Sequence, residues 1–265
     1  MRRALRFTLL GSLRVLLIAL ALPLAAGCRS SEKKQTAAEW LRENTVILDQ
    51  LGSYDHRARQ QGINRFLKLG KEQGTEVVNY LLADPSLDDY RIEVVLARIL
   101  AEWKDSRAIP YLMRNLRSRD QGAVEIAKEG LMIFGNEPRI LAAVGELLGD
   151  PDPKSRAVAA EVLLEMKGHD AVDLLGERLK VEENSEIRAA CLAGILNSRD
   201  DRRTEFLVEA LADRDPEIRA MAWGALVEKK PPVEFDPEAD PASRQKAIAR
   251  LKLWAGAQRK SAKIR

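Results

Sequence analysis

The feature that most constrains the fold is a repeat of 31 to 32 residues. The segments PKSRAVAAEVLL, NSEIRAACLAGIL and DPEIRAMAWGAL align at Arg156, Arg188 and Arg219, which are 32 and 31 residues apart. Upstream, QGAVEIAKEGLMIFG carries Val124 at the arginine position, and RIEVVLARILAEW continues the series. HRARQQGINRFLKLG fits the pattern more loosely, so there are five clear units and a sixth, looser one. A fixed period of this length is typical of proteins built from stacked helical repeats.

Each unit has the apolar spacing of two helices. In the first helix, the pattern places apolar residues on one face at positions three or four apart, as in Ile187, Cys191 and Ile195. A helix pair of about 31 residues cannot bury its apolar face alone, so neighbouring pairs must stack. The predicted fold is therefore all-α: an α-solenoid of about five to six stacked two-helix repeats over 54–230.

Start signals for helices occur at several unit boundaries. Asp152–Pro153 and Asp215–Pro216 each place an oxygen acceptor at the N-cap and a proline at the first helical position. Thr36 and Glu39 have capping-box spacing, which predicts an additional N-terminal helix over 37–53 that includes Val46 and Leu48.

The repeat stops after Lys230. PPVEFDPEADP predicts an extended connector over 231–240, because proline cannot continue a helix. A last helix is expected over 241–258, with Ile248, Leu251 and Trp254 on one side, followed by a basic tail over 259–265. A terminal helix of this kind closes the apolar end of a repeat array. Trp254 is interpreted as part of that closure, with a ligand or partner anchor as the alternative.

The repeat resembles HEAT-like repeats, particularly the short class also seen in phycobilin lyases, over roughly 54–230. The family pattern Leu-x-Asp-x-x-Pro-x-Val-Arg is matched by the runs that end at Arg156 and at Arg219. In that family the Asp and Arg form a structural ladder between adjacent repeats. The resemblance implies this role for Asp150, Arg156, Asp213 and Arg219, with Glu182 in place of the Asp in the Arg188 unit. Ser118 and Val124 lack both charges, so a break in the ladder is expected near the second clear unit.

The first 28 residues have the organisation of an export signal. Four arginines precede VLLIALALPLAA, which is short for a membrane span of about 20 residues. Ala25, Ala26 and Gly27 directly before Cys28 resemble the lipobox of bacterial lipoproteins, although Leu lies one residue earlier than in the strongest examples. The resemblance implies removal of 1–27, acylation of Cys28, for example with palmitate, and a polar tether over 28–36. An uncleaved signal anchor, or ordinary cleavage that leaves Cys28 free, is the alternative.

The export signal affects both the pairing of the cysteines and the net charge of the remaining chain. If Cys28 is acylated, Cys191 has no disulfide partner, and its apolar neighbours predict a small core residue. From Cys28 onward the chain has 39 Lys or Arg and 40 Asp or Glu, so its net charge is −1. Residues 241–265 hold eight Lys or Arg and no acid, which leaves 28–240 at −9.

The sequence contains no catalytic motif, and we expect no catalytic, cofactor or metal residues. His56 and His169 lie more than 100 residues apart and are interpreted as surface residues. There is no Cys or His cluster with zinc spacing and no GxG phosphate loop.

These features predict a non-enzymatic scaffold or adaptor of the bacterial cell envelope that binds proteins through its repeats. It would be anchored on the periplasmic side of a membrane, with Arg29 after the cysteine favouring the outer membrane. A lyase-like or chromophore-handling protein and a purely structural envelope element are the alternatives.

The basic C-terminus is a candidate contact with anionic lipid. Its positive residues are Arg259, Lys260, Lys263 and Arg265. A tail in solvent, or one folded back on the acidic repeats, is the alternative, and export argues against nucleic acid as its partner.

Overall fold

The computed structural model describes residues 35–84, 89–166, 168–200 and 202–262, with side chains described up to Arg259. Over these residues the chain forms 14 helices and no strand, which confirms the predicted all-α fold. The helices divide into two compact units between Ile133 and Phe134. In chain order they are α1 (Ala37–Glu43), α2 (Val46–Leu51), α3 (His56–Leu67), α4 (Gly70–Leu82), α5 (Tyr90–Glu102), α6 (Ala108–Asn115), α7 (Gln121–Phe134), α8 (Pro138–Leu148), α9 (Pro153–Met166), α10 (His169–Val181), α11 (Ser185–Asn197), α12 (Arg203–Ala210), α13 (Pro216–Val227) and α14 (Pro241–Ala262).

The first unit, α1 to α7, begins with the predicted capping box. Thr36 Oγ1 accepts from the Glu39 amide at 3.2 Å, and the Glu39 carboxylate accepts from the Thr36 amide at 2.9 Å. The helix it opens is shorter than predicted. Asn44 ends α1 with its side-chain amide donating to the Trp40 carbonyl at 2.9 Å, so 37–53 contains two short helices.

This break changes which residues of α2 face the core. Ile47 and Leu51 are fully buried, whereas Val46 is 56% exposed. In the same unit α2 packs on α3 and α5, α1 packs on α4, and α5 packs on α6.

The second unit, α8 to α14, stacks its helices in two rows. The first helices of the repeats form one row, in which α9 packs on α11 and α11 on α13. The second helices form the other row, in which α8, α10, α12 and α14 each contact the next. Between the rows, α10 packs on α9 and α11, and α12 packs on α11 and α13. This is the nearest-neighbour packing that the repeat predicts.

Aspartates cap two of the first-row helices, as predicted. Asp152 Oδ1 accepts from the Lys154 amide at 3.0 Å, and Asp215 Oδ1 accepts from the Glu217 amide at 3.0 Å, each with proline at the helix start. The prediction that Cys191 is a core residue is also confirmed, because its side chain is fully buried.

The end of the second unit is closed by the connector and α14. Phe235 is buried against Trp223, with ring centroids 5.7 Å apart. Ile248 and Leu251 are buried as expected, and Trp254 is half-buried. Helix α14 runs to Ala262, four residues beyond the predicted end at 258, because no proline interrupts it. Within the described ranges, no helix is both long and apolar enough to span a bilayer.

Candidate protein-binding surface

Arginine side chains join successive repeats of the second unit. Arg156 donates from Nε and Nη2 to both carboxylate oxygens of Glu182, at 2.9 and 3.0 Å. Its Nη1 donates to the carbonyls of Asp150 and Pro151, both at 3.0 Å. One guanidinium therefore holds the loop of its own repeat and the acidic residue of the next.

The same arrangement recurs one repeat later. Arg188 donates to both oxygens of Asp213, at 2.9 and 3.1 Å, and to the Glu183 carbonyl at 2.8 Å. Arg219 donates to the Asp213 carbonyl at 3.0 Å, but its onward contact is the Pro237 carbonyl at 2.8 Å. The connector thus occupies the position that a further repeat would fill.

The acid in the middle of this series is strongly held in its charged form. Burial alone would raise the pKa of Glu182, but hydrogen bonds from Arg156, from the Asn184 amide and from Arg178 lower that pKa to about 2. Its side chain has no solvent exposure. Glu182 therefore fills the role that Asp213 has in the next unit.

The unit without the two charges is packed differently. Val124 is buried where the other units carry arginine, and Ser118 accepts from the Asp120 amide at 3.1 Å through its hydroxyl. A buried aliphatic side chain needs no ionic partner, so apolar packing replaces the guanidinium at this position.

A second set of polar links, which the sequence pattern does not reveal, joins the second-row helices. Arg202 binds Asp200 at 2.9 Å and reaches back to Asp173 on α10, and His169 Nδ1 also contacts Asp200. Burial alone would raise the pKa of Asp200, yet these hydrogen bonds lower it to about 2. The histidine is a surface residue, as expected, since its side chain is 76% exposed.

The first unit has a similar link. Arg107 binds Asp105 at 2.5 Å and Asn79 of α4 at 3.0 Å. In both links, Asp and Arg stand two residues apart directly before a helix, α6 in the first unit and α12 in the second. This pattern is too short to be recognised without the stacked geometry.

A groove of about 230 Å³ lies between α10 and α12 on the second row. Phe206 packs so closely on Gly176 that a Cβ there would lie 2.2 Å from the ring. Lys180 Nζ sits 5.3 Å from the ring centroid of Phe206. It lies 2.9 Å from a carboxylate oxygen of Glu177 and 3.1 Å from one of Glu209. The groove combines an aromatic surface with charged groups of both signs.

Arg259 is the predicted lipid contact whose side chain the structure describes. Arg259 belongs to α14 and binds Glu205 at 2.8 Å, which corresponds to the folded-back alternative. Cys28, Lys263 and Arg265 lie outside the described residues, as does the side chain of Lys260.

Metal-ligating side chains do not cluster in the described ranges, and the Cys191 thiol is buried. No three His, Cys, Asp or Glu side chains there could hold a metal ion. Burial raises the pKa of the Cys191 thiol to about 12, so that thiol stays protonated at neutral pH.

The described helices have an all-α, HEAT-like repeat fold. In a comparison with protein-family models, the family HEAT repeats matches residues 134–196 of this chain. One similar solved structure is the complex of CpcE and CpcF of phycocyanin lyase from Nostoc sp. PCC7120. It has 18% identity, covering 90% of this chain and 99% of that chain, and a TM-score of 0.38. No curated protein matches the sequence.

Proposed function

We propose that this chain is a non-enzymatic lipoprotein of the bacterial cell envelope that binds a protein partner through its HEAT-like repeats. The anchor is Cys28 on the periplasmic face, in the outer membrane, and the support for it is the order of basic, apolar and small residues before the cysteine. The observation that carries the binding role is the groove between α10 and α12.

The dimensions and chemistry of the groove favour a protein side chain as its occupant. Pockets for small organic ligands usually measure about 300–1,000 Å³, which is larger than this groove of 230 Å³. Aromatic surface is enriched at protein interfaces, and the half-buried ring of Phe206 offers apolar surface to an anchor residue of a partner. Lys180 and Glu209 line the groove as an ion pair, and each side chain is 38% exposed, so this pair can extend to charges around that anchor.

Photo-crosslinking in intact cells tests the binding role. A crosslinking amino acid at Ala212, which is exposed and lines the groove, should capture one dominant envelope protein. The matched control is the same amino acid at Lys154, an exposed position at the start of α9. Equal capture from both positions, or self-links and abundant background proteins alone, would move the assignment to a structural element.

Cell fractionation tests the anchor. Cys28→Ala should move the protein from the membrane fraction to the soluble or unprocessed fraction, because the acyl chains attach to that thiol. Cys191→Ala is the control and should leave the protein in the membrane. Unchanged membrane retention of Cys28→Ala would reject the lipid anchor.

A further inference from the structure

Helix α14 has an inner and an outer face of different chemistry. Ile248, Leu251 and Ala255 are buried on the inner face, on the helix that packs against α12. At about 100° per residue, Lys246, Arg250 and Leu253 lie together on the opposite face. All three are exposed, and Leu253 is 78% exposed.

The charge of this face is uncompensated. Residues 241–262 contain six Lys or Arg and no acid. Arg259 has Glu205 as its partner, and Arg244 donates to the Ala239 carbonyl. Among the described residues, by contrast, neither Lys246 nor Arg250 has a side-chain hydrogen bond or an ion pair.

An exposed leucine between cations can make two contacts with a membrane interface. The apolar side chain enters the boundary between headgroups and acyl chains, and the cations stay with anionic headgroups. Ala249 and Ala257 flank Leu253 on this face with small, exposed side chains.

We infer that the outer face of α14, formed by Lys246, Arg250 and Leu253, docks on the anionic phospholipid surface of the membrane that holds the protein. An anionic lipid surface is chosen as the occupant because its charge is opposite to that of Lys246 and Arg250. The inference rests on the proposed anchoring through Cys28. An anchor makes the second contact intramolecular, so a small patch is sufficient for docking.

The test uses the full-length chain, purified from membranes and placed in lipid vesicles, with Leu253→Cys labelled by an environment-sensitive fluorophore. Cys191 is buried and its thiol has a pKa of about 12, so the label goes to position 253. The emission should shift to the blue in phosphatidylglycerol vesicles and stay unshifted in phosphatidylcholine vesicles. The same label at Val181→Cys, a 67% exposed position on α10, should shift in neither.

Charge variants carrying the label at 253 give the quantitative test. Each cation at an anionic surface favours binding about fivefold at low salt, so K246Q with R250Q should lower the docking constant about 25-fold. The matched control is R57Q with R65Q, two exposed arginines of α3, which should leave docking unchanged. Equal emission in both kinds of vesicle, or an equal loss in the control, would overturn the inference. A blue shift that needs added envelope proteins and not lipid would also overturn it and assign the face to an acidic protein.

Thiol labelling of the unsubstituted chain separates this inference from the anchor. No label on the folded chain means that Cys28 is blocked, as the anchor requires. One label per chain means that Cys28 is free and rejects the anchor. The docking of α14 is then measured on the Cys28→Ser chain with added vesicles, where a lack of blue shift in phosphatidylglycerol rejects the inference on its own.

Discussion

At the scale of single residues, the guanidinium groups of the second unit make sets of hydrogen bonds that a lysine side chain could not make. Arg188 uses Nε and Nη2 for the two oxygens of Asp213 and Nη1 for a loop carbonyl. A planar group with five fixed donors meets these acceptors at once, whereas an ammonium group offers one point of charge. The side chains of this pair are only 4% and 8% exposed, so water cannot replace a lost partner.

Removing one member of this pair should be costly. Arg188→Met keeps most of the apolar stem but leaves the Asp213 carboxylate buried, and we expect a loss of about 3–5 kcal/mol in the free energy of unfolding. Urea unfolding at pH 7 measures it. The pair of changes Arg188→Met and Asp213→Leu should recover a large part of the loss, and exposed Lys154→Ala should change stability by less than about 0.5 kcal/mol. A loss below about 1 kcal/mol for Arg188→Met would contradict the structural role of this arginine.

The low pKa of Glu182 predicts a pH dependence of stability. Its pKa is about 2 in the folded chain against 4.5 as the ordinary value, so the folded state favours the carboxylate. The contribution is about 3 kcal/mol, fully present above about pH 5 and lost as the pH falls towards 2. Unfolding of the wild type and Glu182→Gln, measured from pH 7 to pH 2, should converge at the acid end. Parallel curves over that range would show that Glu182 is not held in its charged form.

How far these residues are predictable depends on recurrence. Arg156, Arg188 and Arg219 recur at 32 and 31 residues, so their shared position was visible in the sequence. The contact between Arg202 and Asp173 joins residues 29 apart on two stacked helices. It depends on how one helix lies on the next, which periodicity does not specify.

At the scale of helices, close approach of α10 and α12 depends on one glycine. Gly176 has no Cβ, and the ring of Phe206 occupies the space that a Cβ would need. Helix start signals were predictable because caps are local. The helix ends were not predictable, because they depend on side-chain contacts. Helix α1 ends where the Asn44 side chain donates to the Trp40 carbonyl. Helix α14 extends past 258, and Arg259 in this extension pairs with Glu205 of α12.

Gly176→Ala should therefore destabilise the second unit by about 1–3 kcal/mol, because the ring must move out of its packed position. Combining it with Phe206→Leu, which removes the contacting ring atoms, should give less than the sum of the two single losses. The control is Gly224→Ala on α13, where nothing lies within 4 Å of the added Cβ. That change should instead stabilise by about 0.5–1 kcal/mol, because glycine is a poor helix former. Thermal unfolding of the four variants decides, and a loss for Gly224→Ala equal to that for Gly176→Ala would contradict the packing argument.

At the scale of the whole molecule, repeat architecture makes stability local. Each repeat of the second unit contacts its neighbours, so an opening in one part need not spread through the chain. The sequence predicted this architecture, because the period is the same over several units. It did not predict the groove at Phe206, because a groove arises from the relative positions of side chains on two helices.

The buried thiol of Cys191 can report on this locality. In the Cys28→Ala chain, a thiol reagent should reach Cys191 only when α11 opens, since the side chain is fully buried. Leu192→Ala should cost about 2–5 kcal/mol and speed labelling by at least about 30-fold, because it removes a fully buried neighbour in the same helix. Leu96→Ala in α5 removes an equally buried side chain of the first unit and should leave the labelling rate nearly unchanged. If both changes speed labelling equally, the two units open together. In that case an opening in one unit spreads to the other, and the stability of this chain is not local.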